Sequence, residues 1–165
     1  MERWDLYDIN RKKLGRTHER GVQLPQGSYH LVVHVWIQND KGEILLSRRH
    51  PEKHYGNLWE CTGGSVLAGE NSFEGALRET KEELGLELDP SLGKFLCSEV
   101  RADFHSDQWF FKSNATLENL FLQKEEVIDA KWVDRFTYDK MLEDNEIVPT
   151  LHYPYHLFKR LYTGD

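Results

Sequence analysis

With 165 residues and 39% apolar content, the chain is long enough to bury a proper core, and its five Trp, seven Tyr and eight Phe exclude a disordered segment. A net charge of −7 excludes the basic balance of a non-specific nucleic-acid binder. No apolar run reaches the roughly 18 residues of a membrane-spanning helix, and the N-terminal MERWDLYDIN lacks the apolar core of a signal peptide.

In chain order, WDLYDIN reads as an extended segment, followed by a basic, Gly-containing loop from Arg11 to Arg16 whose charges suit solvent. YHLVVHVWIQ is rich in β-branched residues and predicts a strand; the turn NDKG then leads into a second strand, EILLSRR, giving a hairpin. HPEKHYGN is loop. The segment from Asn71 to Leu84 is the best helix of the chain. Beyond it LGKFLCSEVRADF, SDQWFFKSN, NLFLQ and VIDAKWVD predict strands, TYDKMLEDN a helix, and YPYHLFKRLYT a C-terminal helix. Without repeats or a linker, residues 1–165 form one expected domain. Its class is α+β, or a layered α/β/α arrangement on a mixed sheet. Cys61 and Cys97 make no CxxC pair and need not be joined, so a thiol-bearing cytoplasmic protein is expected.

The helix carries the chemistry. Asn71 suits its N-cap, Glu74 completes a capping box, and Gly85 stands where the chain would turn left-handed. Phe73, Ala76, Leu77, Thr80 and Leu84 fall on one stripe, which fixes how the helix docks. Glu79, Glu82 and Glu83 share an arc of about 100° on the other side. Like charges so spaced repel, and anions near a helix C-terminus oppose its dipole. On those residues alone a solvated face is the simpler reading, since glutamate forms helices well and exposed faces are charged. A hard divalent cation would turn their repulsion into attraction.

Gly63 and Gly64, upstream, allow the backbone to approach a bound ion or phosphate, or simply to turn. Gly64, Glu70, Arg78, Glu79, Glu82, Glu83, Gly85 and Leu86 together fit the pattern G-x5-E-x7-R-E-U-x-E-E-x-G-U. Its fixed identities would coincide by chance on the order of once in a million chains of this length.

From Gly64 to Leu86 the sequence resembles the signature of the Nudix hydrolase family at every charged and glycine position. Thr80 stands at a position usually aliphatic. The upstream hairpin, GNLWECTGG and QKEEVIDAKWV are similar to the family too. The resemblance implies an α/β/α sandwich in which a mixed sheet lies between helices and a loop–helix–loop binds Mg²⁺ or Mn²⁺. It further implies a small-molecule substrate in which a diphosphate is linked to another moiety, and it makes a homodimer plausible. Carried onto this chain, Glu79, Glu82, Glu83 and the Gly63 carbonyl are the implied metal ligands. Glu79, Glu82 and Arg78 form the catalytic set, with Arg78 orienting the carboxylates. Gly64, Glu70 and Gly85 shape the loop. The general base stays open between a box glutamate and a carboxylate outside it, such as Glu125 or Glu126.

Arg48, Arg49 and Lys53 precede the box and could reach substrate phosphates. Alternation along a strand turns Arg48 and Arg49 opposite ways, so at most one faces the site. Trp59 could stack on a base or fill the core. His152 and His156 are spaced like zinc ligands, but Pro154 lies between them and no HExxH pattern is present. The hairpin and box also resemble isopentenyl diphosphate isomerases. Those enzymes place a cysteine just before the first box glycine, where this chain has Gly63, with Cys61 two residues earlier. A non-catalytic nucleotide-sensing module is a third reading; such modules usually carry a damaged box.

Overall fold

The structure, a computed structural model, describes residues 1–151. A small antiparallel pair comes first, β1 (Arg3–Tyr7) with β2 (Lys13–Glu19). The predicted basic loop is therefore mostly strand. Its residues are largely exposed on both faces, so no alternation marked it. The main sheet contains β3 (His30–Gln38), β4 (Ile44–Arg49), β5 (Trp59–Glu60), β6 (Thr62–Ser65), β7 (Lys94–Val100), β8 (Phe104–Lys112) and β9 (Val127–Val133).

The sheet is mixed. β3 runs parallel to β8 along its whole length and antiparallel to β6, while β4 pairs antiparallel with β9 and β5. β3 and β4 share only the Gln38–Ile44 pair at the hairpin end. β6 then takes over beside β3 and β5 beside β4. This puts the box glycines directly against the centre of the sheet.

Strand alternation sorts the core into two layers. Val33, Val35, Ile37, Leu45 and Phe111 pack with Ala76 and Leu84 of α1 (Ser72–Leu84). Their neighbours Trp36, Ile44, Leu46 and Phe110 pack with Tyr138 and Met141 of α2 (Arg135–Glu143). One helix lies on each face, which is the α/β/α sandwich. Two polar pairs are built into these faces: Trp36 Nε1 donates to Gln108 Oε1 at 2.8 Å, and the Arg11 guanidinium clasps the fully buried Asp107 carboxylate of β8.

Two strand expectations differ. The run from Leu92 to Phe104 divides into β7 and the start of β8, with a turn over 101–103. NLFLQ is not a strand; a 3₁₀ turn, Leu117–Asn119, leads into a segment whose amides hydrogen-bond to the end of α1, Phe121 N to Leu84 O and Gln123 N to Glu83 O. Helix-terminal carbonyls need such partners, and they replace a ladder here. The expected C-terminal helix, with His152 and His156, lies outside the described residues. No helix among the described residues is long and apolar enough to cross a membrane. Cys61 and Cys97 are both free thiols.

Candidate active site

Local chemistry defines α1. Asn71 Oδ1 accepts from Glu74 N at 2.8 Å, Glu74 Oε2 accepts from Asn71 N at 3.0 Å, and Gly85 closes the helix at φ +63°. Ala76, Thr80 and Leu84 are buried, and Phe73 and Leu77 pack against the same cluster. The Thr80 hydroxyl is satisfied by Ala76 O at 2.8 Å, so its methyl serves the aliphatic role.

With that stripe docked, Glu79, Glu82 and Glu83 face a cleft of about 280 Å³. The box glycines form its floor. A Cβ on Gly64 would collide with the Glu79 carboxylate, and one on Gly63 would strike the Val33 carbonyl across the ladder. Both positions need glycine for closeness of approach rather than for a positive φ.

Arg78 ties the cleft together. Its Nε and Nη2 donate to the two oxygens of Glu70 at 2.6 and 3.0 Å, and Nη2 also donates to Ser65 O at 2.9 Å. Nη1 reaches Glu79 and Glu82, each at 3.1 Å. Glu70 in turn accepts from Leu67 N at 2.9 Å, so the loop, the strand and the helix are locked around one guanidinium.

The three glutamates are not equivalent. Glu82 is half exposed. Burial pushes the Glu79 carboxyl up to about 7 despite Arg78, with Glu82 and Glu2 adding repulsion. Burial also pushes Glu83 up to about 7; its hydrogen-bond donor is a neutral hydroxyl, Thr62 Oγ1 at 2.7 Å, and Glu79 and Glu60 repel it. Among the described residues no three His, Cys, Asp or Glu groups converge tightly enough to make a ready metal cage. The oxygens of Glu79, Glu82 and Glu83 are nonetheless hard donors on one wall and could hold a hard cation.

The residues upstream of the box separate. Arg49 lines the cleft, donating to Glu60 Oε1 at 2.6 Å and to His54 O at 2.8 Å. Arg48 points elsewhere: it donates to Asn57 O at 3.0 Å and lies over the Trp59 ring, which Lys131 also caps. Trp59 itself packs in the core on the α2 side. Lys53 reaches the cleft and pairs with Glu126, also in its wall. Sequence reasoning missed Thr62, Gln123, Glu2 and Arg20. Thr62 stands beside the glycine pair, a signal that could have found it. Glu2 and Arg20 arrive from the β1–β2 hairpin through tertiary packing alone.

The fold and this site define an α/β/α domain built around a glutamate-bearing loop–helix–loop. The NUDIX domain profile matches residues 28–151. An uncharacterized Nudix hydrolase of Listeria monocytogenes, lmo0368, is 40% identical over 151 residues, covering 90% of this chain and 89% of that protein. An isopentenyl-diphosphate Delta-isomerase of Streptomyces avermitilis is 32% identical over 90 residues, 53% of this chain and 45% of that one. Among solved structures, DR0079 from Deinococcus radiodurans superposes with a TM-score of 0.74 at 22% identity, covering 98% of this chain and 99% of that one, a likeness of fold. The chain belongs to the Nudix hydrolase family.

Proposed function

We propose that this chain is a Mg²⁺- or Mn²⁺-dependent hydrolase that cleaves a diphosphate linkage in a nucleoside-diphosphate-linked or similar small molecule. The observation that carries this reading is the pair Glu79 and Glu83, buried in one cleft, where burial outweighs the pull of Arg78 on the first and of Lys53 on the second. A bound divalent ion would neutralise the diphosphate and make a bound water more acidic. The protein's own part is to hold the oxygens in place. Arg78 fixes Glu79 and Glu82 by charge-assisted hydrogen bonds, and Thr62 fixes Glu83. Burial raises both carboxyls in the metal-free cleft, and a bound cation would favour their charged, ligating form. Arg49 and Lys53 line the same cleft, and their charges would favour an incoming phosphate.

Isomerase chemistry is the second reading, favoured by the partial match to the Streptomyces enzyme. Cys61 weighs against it. The thiol is 1% exposed in the cluster on the α2 side, and burial pushes its pKa well above the ordinary value. A phosphate-release screen over nucleoside-diphosphate-linked compounds with Mg²⁺, run beside Glu83→Gln, tests the proposal. Turnover that vanishes in the variant supports the hydrolase. Silence across the panel, with isopentenyl diphosphate converted instead, would overturn it.

A further inference from the structure

The cleft has a wall that the family profile does not include. That profile begins at residue 28, whereas β1 and β2 place Glu2 and Arg20 beside the box glutamates. Their position is fixed by the ends of the hairpin: Arg20 N donates to Glu2 O at 3.0 Å, and Arg20 Nη1 donates to Glu2 Oε2 at 2.5 Å. The Ala68 amide, in the box loop, donates to Arg3 O at 2.8 Å and ties the hairpin to the site.

Three cations of the described residues line this cleft, and they differ in how firmly they are held. Arg49 is 20% exposed and bound to both Glu60 and a backbone carbonyl, and Lys53 is 28% exposed against Glu126. Arg20 is 55% exposed and its carboxylate partner Glu2 is 44% exposed. An ion pair that open to water is weak and screened by salt, so exchanging its anion costs little. A diphosphate offers several closely spaced acceptors to a guanidinium fork and carries more charge than one carboxylate.

We propose that Arg20 is a substrate-positioning residue of this cleft, leaving Glu2 to take an oxygen of the diphosphate, so that the N-terminal hairpin completes the binding site. The substrate class rests on the hydrolase reading above; the role of the arginine is tested apart from it. Inorganic diphosphate, titrated calorimetrically into the full chain in the presence of Mg²⁺, is the probe. Arg20→Ala should weaken binding about tenfold, as loss of one charge-assisted hydrogen bond does, and Arg20→Lys should recover part of it. Glu2→Gln should tighten binding, and that gain should disappear in the Arg20→Ala background.

A purely structural pair gives the opposite sign, because Glu2→Gln weakens the same contact by removing its charge and would then weaken binding as Arg20→Ala does. That result, or unchanged affinity in Arg20→Ala, overturns the assignment. The two readings fail separately. If no panel compound is hydrolysed while Arg20→Ala still loses diphosphate, the hydrolase falls and the arginine stands. If hydrolysis persists with KM and diphosphate affinity unaltered in Arg20→Ala, the arginine falls alone.

Discussion

Arg78 grips Glu70 through two hydrogen bonds, Nε to Oε1 at 2.6 Å and Nη2 to Oε2 at 3.0 Å. The same guanidinium still reaches Glu79 and Glu82. A planar fork can do both; an ammonium cannot. Arg78→Lys should keep the charge yet lose the geometry, lowering turnover or metal affinity by roughly 10–100-fold, the usual cost of losing a partner that orients a ligand. Steady-state kinetics and metal titration of Arg78→Lys check this, with the melting temperature confirming that the variant is folded.

Gly63 and Gly64 should fail in different ways. Alanine at Gly64 meets the end of a side chain, Glu79, which can swing aside. Gly64→Ala is therefore expected to fold and to lose activity. Alanine at Gly63 meets the Val33 carbonyl inside the β3–β6 ladder, where only the backbone can yield. Gly63→Ala should destabilise by about 2 kcal/mol or more. Comparing the two by urea denaturation and by turnover separates the effects.

Glu83→Gln should stabilise the metal-free protein at high pH. The folded-state pKa of about 7 lies above the ordinary 4.5, so the native state holds a proton that the unfolded state releases. Stability from this group is present below pH 4.5 and is lost as pH rises to 7. Glutamine mimics the protonated form throughout. The variant should match the wild type near pH 4.5 and exceed it at pH 8 by up to about 3 kcal/mol. His30 and His34, pushed down to about 4 chiefly by burial, act in the opposite sense in both proteins, so their contribution cancels from the difference. Melting curves in chelator across pH 4–8 measure it.

Removing Arg11 should cost more than removing an ordinary surface arginine. Asp107 is fully buried and its carboxylate is held by that guanidinium from the β1–β2 turn. Arg11→Gln leaves the charge uncompensated and should destabilise by about 3–5 kcal/mol. Adding Asp107→Asn to it should return part of the loss, as read by urea unfolding.

These expectations also show which parts of the molecule were legible beforehand. The cap at Asn71, the stripe through Ala76, Thr80 and Leu84, and the left-handed stop at Gly85 are local signals, and α1 follows them. The strand from His30 to Gln38 was equally plain because its β-branched run is buried on both faces. β2 was hidden because its residues are mostly exposed, β5 because it is only two residues long, and β6 because half of it is glycine. Phe121 misled for another reason. The apolar run around it suggests a strand, yet its backbone is used to cap α1 and its ring is 84% exposed. The box glutamates were found through spacing along one helix. Glu2, Arg20 and Gln123 join them only through long-range packing, for which no local pattern exists.

Sharing of one divalent cation by Glu79, Glu82 and Glu83 underlies the hydrolase proposal. Titrating Mn²⁺ into the wild type, Glu79→Gln and Glu83→Gln, and following free Mn²⁺ by electron paramagnetic resonance, addresses it without any substrate. The wild type should bind Mn²⁺ saturably and in competition with Mg²⁺, and each variant should bind it at least tenfold more weakly. Equal Mn²⁺ affinity in all three proteins would contradict it.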